Sequence, residues 1–324
     1  MKKQDEKIMV SILCITYNHG KYIGKCLESF INQKTSFNYE IIVHDDVSSD
    51  NTREIIDKYY QKYPDKIVRI YQKENQFSKG VNIYKKFIIP KIRGKYFALC
   101  EGDDYFCDKE KLQKQFDFLE RHPDYAFCVH NAIIVDREEN LQGEISPLLD
   151  GGDLSCSDFI INGGAFVATN SIFSYSKYLK EMPRYFDIIS IDYIFQIYLS
   201  SKGKTYSLKE YLSAYRQGVE GSWTKTTSVD KEKLIEYNKK IILALNAFNE
   251  DTDYIYDSFL KEKLVPLEYD VLEYERNYKK MKEFPYNEIR RKKSFKDKLR
   301  YFLYEHFPRF FKFLYRIIKG REVK

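Results

Sequence analysis

The chain has 324 residues, 43% of them apolar, with 14 Gly and 8 Pro. This suits one large globular domain with an appendage, or two modest ones, and excludes a disordered or collagenous chain. The formal net charge of +6 is unevenly placed: residues 290–324 hold 13 Lys or Arg against 3 Asp or Glu, so this segment carries +10 and the preceding 289 residues, by difference, −4. The basic character therefore belongs to a tail, which removes the main support for nucleic-acid binding by the body of the chain.

The six cysteines, Cys14, Cys26, Cys100, Cys107, Cys128 and Cys156, form no C-x-x-C pair and lie mostly in apolar runs, so they read as reduced core residues rather than zinc ligands. No run of about 18 apolar residues occurs, which argues against a conventional transmembrane helix. The opening MKKQDEKIMVSILC lacks the cleavage site of a secretory signal. The expected location is the cytoplasm, peripheral on the cytoplasmic face of a membrane.

In chain order, IMVSILCIT at 8–16 predicts a strand, and KYIGKCLESFINQ follows with Ile23, Cys26, Leu27, Phe30 and Ile31 on one helical face. YEIIVHDD at 39–46 predicts a second strand, and Asp50 then stands as N-cap of a helix carrying Ile55, Ile56, Tyr59 and Tyr60. KIVRIYQ at 66–72 is a third strand, VNIYKKFIIPKI a helical stretch, and KYFALC a fourth strand. KEKLQKQFDFLERH is a helix and YAFCVHNAIIVD a strand, whereas the Gly-, Ser- and Asp-rich region from about 139 to 164 reads as loops. AFVATNSIFSYS predicts another strand, SIDYIFQIYLSSK a helix with Asp192 in its first turn, and TYSLKEYLSAYRQ a last strand. Beyond a polar loop the sequence is helical and highly charged, which places domains at 1–229 and 230–324.

Helices alternating with continuous apolar strands predict an α/β fold, a mainly parallel sheet covered on both faces, with a C-terminal helical extension. Ligands of such sheets sit at the carboxyl ends of the strands. Three polar clusters fall just past such ends: Thr16-Tyr17-Asn18, His44-Asp45-Asp46 and Glu101-Gly102-Asp103-Asp104. Two adjacent carboxylates after an apolar strand repel each other. As hard oxygen ligands they suit Mg²⁺ or Mn²⁺ carrying a diphosphate.

CITYNHGKYIGKCLESFINQ, YEIIVHDDVSSDNT, GKYFALCEGDDYF and SIDYIFQIYLSSKGKTY, in this order and spacing, resemble the inverting family-two glycosyltransferases of the GT-A fold, over roughly residues 8 to 225. The resemblance implies a Rossmann-like nucleotide-diphospho-sugar transferase with a nucleotide-sugar donor, UDP-linked, and a cell-surface glycan or lipid-linked acceptor. Carried onto this chain, it implies that Thr16, Tyr17 and Asn18 line the nucleoside pocket, with Asp46 recognising the base and Asp45 beside it. Asp103 would face the ribose or sugar, Asp104 the metal, and Asp192 would be the general base that deprotonates the acceptor hydroxyl. The family often shows Glu-Asp where this chain has Ile191-Asp192, and a YRxH-type segment where it has Tyr215-Arg216-Gln217. Arg216, Ser222 and Trp223 are candidate diphosphate contacts, with Trp223 alternatively stacking a sugar or pinning its loop. Lys79 stands near where relatives place an arginine for phosphate.

Phe302, Leu303, Phe307, Phe310, Phe311, Leu314 and Ile317 can form an apolar face around Pro308, opposite the tail's cations, as in a helix lying in an anionic membrane interface. The alternative is packing on the catalytic domain or on a second copy of the chain. A non-catalytic nucleotide-sugar-binding or scaffold subunit of a glycan assembly complex is the competing functional class. A dinucleotide-dependent oxidoreductase is disfavoured, because no G-x-G-x-x-G follows the first strand.

Overall fold

The computed structural model describes residues 7–189, 191–219 and 230–307. The chain divides into two compact units, Met1–Thr226 and Thr227–Lys324.

The first unit is built on one mixed sheet. Its strands are β1 (Ile8–Thr16), β2 (Asn38–Asp45), β3 (Ile67–Tyr71), β4 (Tyr96–Leu99), β5 (Tyr105–Phe106), β6 (Tyr125–Val135), β7 (Leu141–Ile145), β8 (Gly152–Leu154), β9 (Phe173–Tyr175) and β10 (Lys204–Arg216). The principal order is β3-β2-β1-β4-β9-β6-β10-β5, with β7 on β6 and β8 on β10. The parallel arrangement holds for β3-β2-β1-β4 and again for β6 with β10, while β9 runs antiparallel between these two blocks. The helices of this unit are α1 (Ile23–Ile31), α2 (Thr52–Lys62), α3 (Lys111–Arg121), α4 (Cys156–Asn162), α5 (Ser176–Lys180) and α6 (Asp192–Ser200).

Strand alternation assigns the two faces. Val10, Ile12 and Cys14 of β1, with Tyr96, Ala98 and Cys100 at β4, pack with Ile23, Cys26, Leu27 and Phe30 of α1, Ile56 of α2 and Leu112 and Leu119 of α3 in one core cluster. Phe97 points the other way, its ring 5.9 Å from that of Phe195 on α6. Helices thus cover both faces, which is why the central strands carry unbroken apolar runs.

Four segments differ from the sequence expectation. VNIYKKFIIPKI forms a π turn over Tyr84–Ile88 and a 3₁₀ turn over Ile89–Lys91 rather than a regular helix, because Pro90 supplies no amide for the ladder. The region from 139 to 164 holds β7, β8 and α4, the last started by a capping box in which Ser155 and Asp158 satisfy each other's backbone amides. Only Phe173–Tyr175 of AFVATNSIFSYS pairs as strand, since Thr169–Ser171 turns as 3₁₀. The two-residue β5 lies inside the segment that follows Asp104.

The second unit contains α7 (Lys231–Asp251), α8 (Asp257–Tyr274), α9 (Tyr286–Lys292) and α10 (Phe295–His306). Asp230 caps α7 by accepting from the amides of Glu232 and Lys233. A small core of Tyr269, Leu272, Tyr278, Met281, Tyr286 and Tyr301 holds α8, α9 and α10 together.

Gly94 sits where β4 is fed against β1. A Cβ there would lie 2.6 Å from the Ser11 nitrogen and 2.7 Å from the Tyr96 oxygen, both main-chain atoms that cannot swing aside. Gly94→Ala is expected to lower the unfolding free energy by about 1–3 kcal/mol, read as a fall in urea midpoint with the slope unchanged.

Candidate active site

The three polar clusters meet because the strands that carry them are zipped in register. Asp45 pairs with Thr16, the Asp46 amide donates to the Thr16 carbonyl at 3.1 Å, and the Gly102 amide donates to the Ile15 carbonyl at 2.9 Å. The Cys26 thiol of α1 reaches the Glu101 carbonyl at 3.4 Å, so the first helix also fixes the acidic corner. Only a residue without a side chain fits at 102: a Cβ would lie 2.6 Å from Thr16 Oγ1 and 2.9 Å from His19 Nδ1.

Around this corner several buried polar atoms have no hydrogen-bond partner, among them Thr16 Oγ1, His19 Nδ1 and Asp103 Oδ1. His19 Nε2 lies 3.7 Å from Asp103 Oδ2. Tyr17 is 45% exposed at the rim. Asn18 adopts φ 56° and is held there by Ser48 and Ser49, its amide donating to Ser48 Oγ at 2.8 Å and its Oδ1 accepting from the Ser49 amide at 2.7 Å.

The two aspartates at the end of β2 are engaged by protein. Asp45 Oδ1 accepts from Arg53 Nε and from the Ser48 amide, while the Arg53 guanidinium also donates to the Gln72 carbonyl at 2.7 Å. Asp46 accepts from the amides of Gln76 at 2.8 Å and Phe77 at 2.9 Å, so it braces the turn that carries Lys79. Lys79 is itself on the surface and paired with Glu74.

Asp104 is 2% exposed, and both its oxygens are occupied: Oδ1 accepts from the Arg216 amide at 2.7 Å and Oδ2 from Asn170 Nδ2 at 2.9 Å. Burial, then the charges of Asp103 and Glu101, push its carboxyl well above the usual range, while these two hydrogen bonds pull it down. Arg216 is likewise committed. Its guanidinium donates to the carbonyls of Asp103, Asp136 and Arg137 and to Glu139 Oε1, and stands 4.6 Å over the Tyr22 ring. Expected at a diphosphate, it instead locks the end of β10 to the acidic corner. Ser222 and Trp223 lie outside the described residues.

Asp192 opens α6, and its Oδ2 accepts from Thr169 Oγ1 at 2.6 Å. Enclosure by protein raises its carboxyl above the ordinary 3.8, with the Thr169 bond acting in the opposite direction. Glu101 is also pushed up, by burial and then by the charges of Asp103 and Asp192. Both side chains keep water access, so solvent relieves part of this push. Tyr84 and Tyr215 stand among the same carboxylates: after burial, Glu101 and Asp192 raise the Tyr84 hydroxyl, and Asp104 leads the charges that raise Tyr215. Glu101, Asp103, Asp104 and Asp192 therefore share one rim.

The sequence reading passed over Glu101, His19, Tyr84, Thr169, Asn170 and Tyr215 as site residues. Glu101 and His19 lie inside quoted motifs and could have been found there. Asn170 and Thr169 belong to a stretch read as strand, and nothing in their spacing marks them.

A family profile described as "Glycosyl transferase family 2" matches residues 11–177. An uncharacterized Mycobacterium tuberculosis protein is 33% identical over 231 residues, covering 70% of this chain and 64% of the relative. The chain thus spans about two-thirds of the length of that relative. A dolichyl N-acetyl-alpha-D-glucosaminyl phosphate 3-beta-D-2,3-diacetamido-2,3-dideoxy-beta-D-glucuronosyltransferase of Methanococcus voltae is 28% identical over 218 residues, 64% of this chain and 66% of the relative. Among solved structures, Staphylococcus aureus TarS 1-349 in complex with UDP-GlcNAc superposes with a TM-score of 0.62 at 20% identity, covering 80% of this chain and 72% of the other, which supports the GT-A fold.

Removing the Arg53 cation leaves the fully buried Asp45 carboxylate with only the Ser48 amide on Oδ1 and no partner on Oδ2. Arg53→Ala is expected to lower the unfolding free energy by about 2–3 kcal/mol, under the usual buried-pair loss because Arg53 is itself partly exposed. Urea denaturation at neutral pH measures it.

Proposed function

Because the chain belongs to glycosyl transferase family 2, we propose that it transfers a sugar from a UDP-linked donor to a hydroxyl group of a cell-surface glycan or lipid-linked acceptor, with inversion at the anomeric carbon. The observation that carries this reading is the convergence of four carboxylates on one strand-end rim, with Asp192 accessible and held by Thr169. The names of the M. voltae relative and of the TarS complex support, respectively, a lipid-linked acceptor and a UDP-sugar donor.

The donor set suits Mg²⁺ or Mn²⁺. The oxygens are hard, and Asp103 Oδ1 is buried without a partner. Among the described residues no three His, Cys, Asp or Glu side chains come together to enclose an ion, which suits a cation held by one or two carboxylates and completed by a diphosphate. In this reading Asp103, with Glu101 beside it, holds the cation in place of Asp104, whose oxygens already accept from Asn170 and Arg216. A cation there would offset the charge of the leaving diphosphate.

Asp192 accepts the proton of the acceptor hydroxyl as that oxygen attacks the anomeric carbon, and its raised carboxyl makes it a stronger base than an ordinary aspartate. Thr16 Oγ1 and Tyr17 contact the nucleoside, Asn18 shapes their loop, and Asp45 and Asp46 support the pocket from below. Lys79 stands as a mobile-reach point charge for phosphate at the pocket edge, and Arg216 is a positioning residue for the acidic corner.

The membrane partner of this reading is the basic tail. Phe295, Leu299, Phe302 and Phe307 are exposed, with Lys296 and Lys298 exposed between them, an arrangement suited to the cytoplasmic face of an anionic membrane. Phe310, Phe311, Leu314 and Ile317 of the expected face lie outside the described residues. Among the described residues no helix is long and apolar enough to cross a membrane.

Asp192→Asn is expected to reduce kcat for transfer by about 10²- to 10⁴-fold with donor affinity retained, whereas Asp103→Asn raises the donor Kd measured with Mn²⁺. Undiminished transfer by Asp192→Asn would sink the assignment. The base must be ionised, so activity is lost as pH falls through the raised Asp192 value, and the acid limb of the kcat profile lies above pH 3.8. Thr169→Val removes the bond that lowers this value and should move the limb to higher pH.

A further inference from the structure

Beside Asp192 lies a small cavity of about 30 Å³, lined by Tyr84, Leu99, Met182, Phe186, Ile191 and Phe195. Leu99 is the last residue of β4 and Phe195 belongs to the first turn of α6, so the cavity is built into the junction between the acidic corner and the helix that carries the base. Phe186 is 2% exposed, and its ring packs 6.2 Å from that of Phe195. Asn82 ties the wall together: its Nδ2 donates to the Phe186 carbonyl at 3.3 Å and lies 3.9 Å from Met182 Sδ.

The volume suits one water or one methyl group. A water needs two to four polar partners, and the lining side chains meet only the lower bound, with the Asp192 carboxylate, which already accepts from Thr169, and the Tyr84 hydroxyl. A methyl group meets hydrocarbon and sulfur on most sides. On the reading of Asp192 as the base, the methyl arrives on the substrate, because the cavity adjoins that carboxylate. The two polar groups at the wall define what joins the methyl to the sugar ring. A tyrosine hydroxyl donates to a carbonyl and a carboxylate accepts from an N–H, so the pair matches a secondary amide. A tyrosine hydroxyl is protonated at neutral pH and so can donate.

We propose that this cavity is a subsite for the methyl group of an acetamido sugar, carried by the donor or by the acceptor residue that bears the attacked hydroxyl, with Met182 and Phe186 setting the preference. The inference rests on the reading of Asp192 as the base of a glycosyl transfer. A plain hexose would leave the cavity empty and the Tyr84 hydroxyl without the amide carbonyl.

The test uses the full chain with Mn²⁺ and two matched arms. In the donor arm, UDP-N-acetylglucosamine is compared with UDP-glucose, and UDP-N-acetylgalactosamine with UDP-galactose, by calorimetric affinity and by kcat/KM. In the acceptor arm, aryl glycosides of N-acetylglucosamine, glucose and a 6-deoxyhexose are compared at a fixed donor. One arm is expected to favour the acetamido sugar by about 10- to 100-fold, and the arm that does so identifies which sugar carries it. Met182→Phe fills the cavity and should cut that ratio to about threefold or less, whatever the absolute rate. Phe186→Leu enlarges it and should admit the N-propionyl analogue of the favoured sugar.

Equal use of acetamido and plain sugars in both arms overturns the subsite and leaves the transferase reading standing, as does a preference for the 6-deoxy methyl. A Met182→Phe protein that keeps the full ratio also overturns it. Absence of both turnover and nucleotide-sugar binding defeats the transferase reading and the subsite with it, whereas affinity differences without turnover still decide the donor arm.

Discussion

One buried carboxylate joins the two halves of the sheet, and the site depends on it. Asp104 has almost no exposed surface, and the Arg216 amide at the end of β10 and the Asn170 side chain each donate to one of its oxygens, offsetting part of the cost of burying it. Asn170 in turn donates to the Ala214 carbonyl and accepts from Ser213 at 2.5 Å. The parallel block that ends in the acidic corner is thereby fastened to the block containing β6 and β10. Loss of either donor would leave one buried carboxyl oxygen without a partner, a larger cost than the bond is worth when it is made.

A second buried polar chain backs the same turn. Lys111 is fully enclosed, its ammonium donating to Gln115 Oε1 at 2.7 Å and standing 4.2 Å over the Phe106 ring, and burial lowers its pKa to about 7. Gln115 passes its amide to the carbonyls of Ser171 and Cys128. The 3₁₀ turn over Thr169–Ser171 is thus held from both sides, and it is this turn that presents Thr169 to Asp192. Positioning of the base and rigidity of the acidic corner have a common structural origin.

Periodicity made much of this legible. β1, β2 and β4 are largely apolar runs buried along both faces, and α1 and α3 show their buried stripes in the sequence, while α6 is buried nearly all round. The rim clusters at 16–18, 44–46 and 101–104 were equally legible as a shared edge, because each stands at the carboxyl end of a largely apolar strand. Short pairings were not: the two-residue β5 and the three-residue β8 both pair with β10, far along the chain, and β7 is a short, mostly exposed hairpin partner of β6. The order of the sheet beyond β4 was hidden for the same reason, since nothing local in Phe173–Tyr175 specifies an antiparallel insertion between β4 and β6.

The amino-acid sequence by itself determined which residue types stand at the rim, since alternation and helical spacing are properties of neighbouring residues along the chain. Only the tertiary structure decided what each rim side chain is free to do. Asp103 and Asp104 are adjacent and chemically identical, yet one keeps an unpartnered oxygen and the other is wrapped by Asn170 and Arg216 from 66 and 112 residues away. Arg216 carries a charge that would suit a ligand, but folding brings four acceptor groups to it. Hydrogen bonding and burial are set by groups distant in sequence, so the division of a cluster into anchoring and reacting members is a property of the folded chain.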